Sequence, residues 1–125
     1  MKIITTENAP PAIGPYSQAV ECGGFLFTSG QIPMKSDGTL VEGEIEVQTH
    51  QVFENLIATL KAASLGLEDV IKVSIFISDM DEFSRINEVY GEYFVTHKPA
   101  RTTVQVARLP KDVGLELEVV ARSKK

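Results

Sequence analysis

The sequence contains few of the residues that build disulfide and metal sites. It has one cysteine, Cys22, and two histidines, His50 and His97, which are far apart along its 125 residues. A lone cysteine cannot form an intrachain disulfide, and the two histidines lack the spacing of a zinc site. Gly23-Gly24 is not followed by the glycines and lysine of a nucleotide-binding loop. We therefore expect no disulfide scaffold, no metal and no nucleotide cofactor.

Long apolar runs and an excess of basic residues are also absent. No stretch approaches the length of a membrane-spanning helix, and Met1–Tyr16 has three prolines and no continuous apolar segment that would indicate a secretory signal. We therefore expect cytoplasmic residence and no membrane partner. The 12 basic and 17 acidic residues give a net charge of −5, which disfavours a role in nucleic-acid binding.

Periodic patterns predict six strands and two helices in one domain that covers residues 1–125. The predicted strands are Lys2–Thr6, Ser17–Cys22, Phe25–Ser29, Ile71–Ile77, Arg101–Ala107 and Val113–Arg122. The predicted helices run from about Glu46 to Leu65, with Gly66 as a stop, and from Asp79, with Glu82 completing its cap, to Lys98-Pro99. Gly23-Gly24 predicts a tight hairpin turn between the second and third strands.

This order of elements predicts an α+β fold in which both helices share one face of a six-stranded sheet. The other face then has no covering layer within one chain. Alternation assigns to it Phe76, Arg101, Thr103, Gln105, Glu116, Glu118 and Val120. Because this set is too apolar for full exposure and too charged for a closed core, we predict a subunit interface that contains a polar pocket.

Arg101 is the first candidate for a functional residue, because its planar guanidinium fits a carboxylate of either a protein or a ligand. Glu116 shares the inferred face, and a structural salt bridge between the two is the commoner outcome for such a pair. Tyr16 and Ser29 are predicted near one end of the sheet, where their hydroxyls could orient a ligand. A tyrosine packed on the core and a serine that ends a turn are the plainer interpretations.

Several separated segments together resemble the Rid/YjgF family along essentially the whole chain. They are Ala12–Gln18, Ser29–Pro33, Asn87–Tyr90, Lys98–Arg101 and Val106–Asp112. The closest likeness is to the RidA subgroup of imine deaminases. The resemblance implies a chorismate-mutase-like fold with a mixed sheet. It also implies a homotrimer whose sheets line a central barrel, with active sites between subunits.

The resemblance further implies hydrolysis of 2-imino acids such as 2-iminobutanoate and 2-iminopropanoate, or of their enamine tautomers, to 2-oxo acids and ammonia. No metal or organic cofactor is implied. By position, Arg101 matches the arginine that binds the substrate carboxylate, and Glu116 matches the acidic residue that positions water. The other matches are Tyr16 and Ser29 as hydroxyl residues of the cleft, Gly30 through its backbone amide, Asn87 as a neighbour, and Thr103, where many relatives have cysteine.

In the implied mechanism, Glu116 accepts a proton from the attacking water and returns one to the departing nitrogen. A guanidinium nearby would lower the pKa of this carboxyl, so that Glu116 would orient water more than deprotonate it. Two alternatives remain open. One is a regulatory protein that binds 2-oxo acids without turnover. The other is an RNA-cleaving enzyme, which the acidic balance and the lack of a histidine pair disfavour.

Overall fold

A computed structural model describes residues 1–123 as two helices on a six-stranded mixed sheet. The strands are β1 (Lys2–Ile4), β2 (Ala19–Cys22), β3 (Phe25–Thr28), β4 (Val70–Ile77), β5 (Ala100–Gln105) and β6 (Leu115–Arg122). The helices are α1 (Ile45–Ala62) and α2 (Phe83–Tyr93). The order across the sheet is β1-β2-β3-β6-β4-β5, in which only β4 and β5 are parallel. The predicted fold class is confirmed.

The predicted hairpin and the alternation of β6 are both observed. Gly23 and Gly24 join β2 to β3 with φ values of 61° and 86°, which only glycine adopts without steric cost in a two-residue turn. In β6 the side chains that face the helices are Leu115, Leu117, Val119 and Ala121, and all four are buried. Because β6 lies between β3 and β4, this strand forms the centre of the sheet.

The alternation of β4 is shifted at its start, where the prediction was wrong. Ile71 is 42% exposed, while Val70 is fully buried. The register between β4 and β6 shifts between Val70 and Lys72, as it does at a β-bulge. The bulge adds one residue to the strand, so Val70 rather than Ile71 points to the core. Beyond it, Val73, Ile75 and Ile77 are buried as predicted.

α1 ends earlier than predicted, and it does so without glycine. The N–H of Ser64 donates to the carbonyl of Lys61 at 2.9 Å, and the N–H of Leu65 donates to that of Leu60 at 2.9 Å. This pair of bonds is a Schellman motif, which requires a left-handed residue. Ser64 occupies that position with a φ of 61°, so the predicted stop at Gly66 is not used.

α2 follows a short 3-10 helix, Met80–Glu82, which extends the predicted cap region. The Asp79 carboxylate accepts a hydrogen bond from the N–H of Asp81 at 2.9 Å and so caps this first turn. α2 ends at Tyr93, before the predicted end at Lys98-Pro99. The Tyr93 ring stacks on Phe53 of α1, with 4.2 Å between their centroids. The two helices are therefore joined by an aromatic contact above the sheet.

Neither helix of residues 1–123 is long and apolar enough to cross a membrane.

β5 has the opposite orientation to the one predicted. In the parallel ladder, Arg101 is paired with Val73, Thr103 with Ile75, and Gln105 with Ile77. Paired residues point to the same face, and these β4 residues face the helices. Arg101, Thr103 and Gln105 therefore lie on the helix-covered face, and their assignment to the uncovered face was wrong.

The uncovered face nevertheless exists and is partly apolar. Phe76, Glu116, Glu118 and Val120 lie on it as predicted, because Phe76 is paired with Glu116, and Glu118 and Val120 follow Glu116 at alternate positions. Large exposed side chains on the same face are Phe25, Phe27 and Val104, which are 41%, 47% and 41% exposed. Such a face lacks the polar character of a solvated sheet surface.

Candidate functional site

Four of the predicted site residues line one cleft, with a volume of about 570 Å³. They are Tyr16, Ser29, Gly30 and Glu116. We call this space the Glu116 cleft. The segment after β3 forms one wall, because Gln31 and Leu117 of β6 exchange two backbone hydrogen bonds, at 2.7 and 3.0 Å. This pairing brings Gly30 beside Glu116, although the two residues are distant in the sequence.

Gly30 and Glu116 are in such close contact that a side chain at position 30 would fit only if the Glu116 carboxylate moved. A Cβ atom built on Gly30 would lie 1.7 Å from Oε2 of Glu116 and 2.6 Å from its Cδ. Burial raises the pKa of the Glu116 carboxyl, and the charge of Glu118, two residues along the same face, raises it further. The carboxyl is therefore held against the main chain and has a raised affinity for a proton.

Ser29 follows β3 and forms hydrogen bonds to the two residues that precede β2, so it joins these strand ends at the cleft. Its hydroxyl donates to the carbonyl of Ser17 at 2.5 Å, and its N–H donates to the carbonyl of Gln18 at 2.9 Å. The hydroxyl proton is thus engaged, and the Ser29 oxygen remains available only as an acceptor. The neighbouring Gly30 N–H donates to no other residue within 1–123, so this amide is free for a ligand.

Tyr16 stands at the mouth of the Glu116 cleft with 53% of its surface exposed. The N–H of Ile13 approaches its hydroxyl at 3.4 Å, and the N–H of Tyr16 donates to the carbonyl of Gly14 at 2.9 Å. The phenol is therefore held loosely by its own loop and is not packed in the core. This placement agrees with the predicted location of Tyr16 near Ser29.

Two buried amides that the sequence analysis did not single out hold the walls of the cleft. The Nε2 of Gln18 donates to the carbonyls of Thr6 and Pro10, at 3.1 and 2.7 Å. The Nδ2 of Asn55, in α1, donates to the carbonyls of Ile32 and Met34, at 3.1 and 2.8 Å. Gln18 is 5% exposed and Asn55 is 1% exposed. A polar residue within the apolar stripe of a helix, as Asn55 is, was the available signal.

Arg101 lies in a second pocket, of about 410 Å³, which it lines together with Asn87 and Tyr90. We call it the Arg101 pocket. The Nη1 of Arg101 donates to Oδ1 of Asn87 at 2.6 Å. The guanidinium carbon lies 4.6 Å from the ring centroid of Tyr90 and 5.4 Å from that of Phe83. Within residues 1–123 Arg101 forms no ion pair. The structural salt bridge between Arg101 and Glu116 is therefore not formed within one chain.

Two hydroxyls near Arg101 are buried without a hydrogen-bond partner in the described part of the chain. They belong to Tyr90 and Thr103. Burial raises the pKa of the Tyr90 hydroxyl, while the charge of Arg101 acts in the opposite direction. Thr103 lies two residues from Arg101 on the same face of β5. Tyr90 lines the Arg101 pocket with its ring, whereas Thr103 does not line it.

The predicted site residues thus form two groups on opposite faces of one sheet. Glu116 of β6 lies on the uncovered face, and Arg101 of β5 lies on the helix-covered face. β4 separates the two strands, so they are not neighbours. The expectation that Arg101 and Glu116 share a face was therefore wrong. One chain does not bring them to a common small ligand.

Comparison with known proteins identifies the family. A family model described as endoribonuclease L-PSP matches residues 6–123. The chain belongs to this family, the Rid/YjgF family. A RutC family protein of Pyrococcus horikoshii is 54% identical over 121 residues, which are 96% of each chain. Escherichia coli TdcF, named "Putative reactive intermediate deaminase", is 47% identical over 123 residues, or 96% of this chain and 95% of that protein.

Solved structures of Rid/YjgF proteins have the same fold. E. coli TdcF with bound serine superposes with a TM-score of 0.94 at 46% identity, covering 99% of this chain and 100% of that one. A Yersinia pestis protein of the Rid family, YyfA, has a TM-score of 0.95 at 46% identity, with 97% and 98% of the chains covered. The predicted family is confirmed.

The histidines of this Rid/YjgF chain are engaged outside both sites. Nδ1 of His50 is 2.7 Å from the hydroxyl of Tyr93, and Nε2 of His97 is 2.5 Å from the carbonyl of Val70. Neither histidine lines the Glu116 cleft or the Arg101 pocket. Within residues 1–123, no three His, Cys, Asp or Glu side chains form a group that could hold a metal ion.

Proposed function

We propose that this Rid/YjgF chain hydrolyses reactive 2-imino acids, such as 2-iminobutanoate and 2-iminopropanoate, and their enamine tautomers to 2-oxo acids and ammonia. The observation that carries the proposal is Arg101, whose guanidinium lies beside two aromatic rings and donates to Asn87 but has no carboxylate partner within residues 1–123. A fixed and unpaired guanidinium is suited to bind the carboxylate of a small acid. The names of close relatives as reactive intermediate deaminases support the same class of reaction.

The site that we propose is completed by a second copy of the chain. A 2-imino acid is too small to reach Arg101 and Glu116 on opposite faces of one sheet. Two copies can meet the requirement, because the uncovered face of one copy can adjoin the β5 edge of the next. The exposed Phe27 and Val104 give this face the apolar surface that a subunit interface needs. A closed ring of three copies is the assembly that we expect.

The proposed chemistry uses the raised pKa of Glu116. Arg101 of one copy binds the substrate carboxylate and places the imine carbon over the Glu116 cleft of the other. Water attacks that carbon, and Glu116 accepts a proton from the water as the C–O bond forms. The carboxyl then gives this proton to the nitrogen, and the C–N bond breaks as the C=O bond forms. Glu116 takes the hydroxyl proton and passes it to the departing ammonia, so that a protonated imine and water yield a 2-oxo acid and ammonium. Within one chain, burial and Glu118 raise the pKa of this carboxyl, which favours the return of a proton to the nitrogen.

The backbone of the cleft supplies further groups in this proposal. The free N–H of Gly30 donates to the substrate, and the oxygen of Ser29 accepts a hydrogen bond from it. Tyr16 closes the mouth of the cleft with its exposed phenol. Asn87 acts through Arg101, which it holds at 2.6 Å. Thr103, two residues from Arg101 on the same face of β5, is the remaining candidate for a contact with the acid.

Replacement of Arg101 tests the carboxylate contact. Arg101→Ala should remove the acceleration of imine hydrolysis in an assay coupled to a dehydratase that releases the imine, with oligomeric state unchanged. Arg101→Lys keeps the positive charge but cannot form two parallel hydrogen bonds to the substrate carboxylate, so this variant should retain only part of the activity. Wild-type rates in Arg101→Ala would rule out the proposed role of this residue.

Mixing two inactive variants tests whether the site forms between copies. Arg101→Ala removes the guanidinium from every proposed site, and Glu116→Gln removes the carboxylate from every proposed site. If each site combines Arg101 of one copy with Glu116 of the next, random co-assembly in equal amounts should restore about a quarter of wild-type activity. If both residues of a site came from one chain, no activity would return after unfolding and refolding together.

The same variants also distinguish imine hydrolysis from two other functions. The bound serine in the TdcF structure also fits a regulator that holds a small acid without turnover. Binding of a 2-oxo acid that depends on Arg101, with no acceleration of hydrolysis, would favour that function. The family description favours RNA cleavage, but His50 and His97 are both engaged away from the sites. RNA cleavage that persists in Arg101→Ala would require a separate site.

A further inference from the structure

α2 presents three side chains to Arg101 along one face. Phe83, Asn87 and Tyr90 follow one another at steps of four and three residues, so they lie on the same side of the helix. The two rings approach the guanidinium, at 5.4 Å for Phe83 and 4.6 Å for Tyr90. Asn87 accepts a hydrogen bond from Nη1 between them. The helix therefore contacts the guanidinium through two rings and at one nitrogen.

The two rings differ in how firmly they are held. Tyr90 is 9% exposed and belongs to the core, where its ring lies 4.9 Å from Phe94 and 5.8 Å from Phe53. Phe83 is only partly buried and lies at the first residue of α2. A ring fixed by two aromatic neighbours keeps its position when a ligand binds or leaves. Tyr90 is therefore the more rigid of the two surfaces under Arg101.

We propose that Tyr90 is a positioning residue that acts through Arg101. Its ring is the fixed surface on which the guanidinium lies, and Asn87 sets the rotation of the guanidinium in that plane. The edge of the guanidinium that Asn87 does not contact is then held ready for a carboxylate before the substrate arrives. Preorganisation of this kind strengthens binding because less side-chain freedom is lost when the ligand binds. This inference deepens the proposed function and rests on it.

The test compares KM and kcat in three variants of α2. Tyr90→Leu removes the ring beneath the guanidinium and should raise KM for 2-iminobutanoate about three- to tenfold, with kcat within about twofold. Tyr90→Phe keeps the ring and should have a KM within about twofold of wild type. Tyr93→Leu is the matched control, because Tyr93 lies in the same helix as Tyr90 and stacks on Phe53 of α1 but does not contact Arg101. It should leave KM unchanged even if it lowers stability.

Several results would contradict the proposed role of the Tyr90 ring. An unchanged KM in Tyr90→Leu overturns the inference, and so does an equal rise in Tyr93→Leu, which would indicate general loosening of the helix. A rise in Tyr90→Phe as large as in Tyr90→Leu would assign the effect to the hydroxyl and contradict the role of the ring. If Tyr90→Leu does not fold, Tyr90→Met decides, because its flexible side chain also removes the ring but refills more of the space. A rise in KM of about threefold supports the inference, and an unchanged KM overturns it.

Arg101→Ala separates this inference from the proposed function. If that variant hydrolyses the imine as well as wild type, the proposed function fails. If it is inactive while the folded Tyr90→Leu variant binds and turns over normally, only the role of Tyr90 fails. Binding of 2-oxobutanoate, followed by calorimetry, gives a readout that does not depend on turnover. The same three- to tenfold weakening, about the range for a cation on an aromatic face, is expected there in Tyr90→Leu.

Discussion

Gly30→Ala is expected to displace the Glu116 carboxylate while leaving the fold intact. The new Cβ would lie 1.7 Å from Oε2 of Glu116, whereas ordinary contact begins at 3.4 Å. The carboxylate oxygen must therefore move by about 1.7 Å, and because it ends a flexible side chain it can do so. The free energy of unfolding should change by less than about 1 kcal/mol. The backbone at Gly30 is not left-handed, so it adds no conformational strain.

The catalytic effect should be much larger than the effect on stability. A displacement of about 1 Å of a reacting group can cost about a hundredfold in rate. We therefore expect kcat/KM for 2-iminobutanoate to fall about a hundredfold or more in Gly30→Ala. The measurement is the coupled dehydratase assay, accompanied by urea unfolding and by sizing of the assembly. Wild-type kcat/KM in a correctly assembled Gly30→Ala protein would refute the reasoning that the position of Glu116 matters.

Gly66→Ala is a matched control for this substitution. A Cβ at Gly66 would lie 2.4 Å from Oε1 of Glu68, so it also pushes a glutamate carboxylate aside. Gly66 and Glu68 line neither the Glu116 cleft nor the Arg101 pocket. Gly66→Ala should therefore resemble Gly30→Ala in stability but keep wild-type activity. Equal losses in the two variants would indicate a general disturbance of the fold.

Three further substitutions have definite expectations. Ser64→Gly should raise the free energy of unfolding by about 1 kcal/mol in urea titrations, because serine is strained at a φ of 61°. Burial and Glu118 raise the pKa of Glu116 above 4.5, so its ionisation costs the folded chain stability once the pH exceeds that value. Glu116→Gln should thus be more stable than wild type at pH 7 and lose this advantage below about pH 4, as measured by unfolding at both values. Phe27→Asp places a charge on the uncovered face at a side chain that is 47% exposed. If the proposed assembly forms through this face, sedimentation should show dissociated and folded chains, and the proposed hydrolysis should be lost in rate measurements.

Local patterns were sufficient for most elements of the fold. Both helices, the Gly23-Gly24 turn and the buried side of β6 follow from apolar spacing and glycine chemistry, which act over a few residues. The exceptions arise from contacts that spacing does not encode. Ile71 is exposed because a bulge against β6 shifts its strand by one residue. α1 ends at Ala62 and is followed by a strained Ser64, because the hydrogen bonds of the Schellman motif outweigh the local preference for glycine.

The residues of the candidate site were identifiable from the sequence, but their arrangement was not. Tyr16, Ser29, Gly30 and Glu116 do line one cleft. The buried amides of Gln18 and Asn55 hold the walls of that cleft. Only Asn55 has a signal in the sequence, its place within the apolar stripe of α1, and that signal does not show which groups the amide binds. Their role becomes visible only when the carbonyls that they bind are seen beside them. Groups that act through distant main-chain atoms are generally hidden from a single sequence.

Sequence alone determined that this chain has six strands, two helices, an uncovered sheet face and the motifs of the Rid/YjgF family. It also determined that Arg101 and Thr102 point to opposite faces of their strand, because alternation separates neighbours. It could not decide which of the two faces is covered. The parallel register with β4 and the aromatic and amide groups of α2 place Arg101 on the helix side, away from Glu116. That separation is a property of the tertiary structure, since it depends on strand order and helix packing between residues that are far apart in the chain.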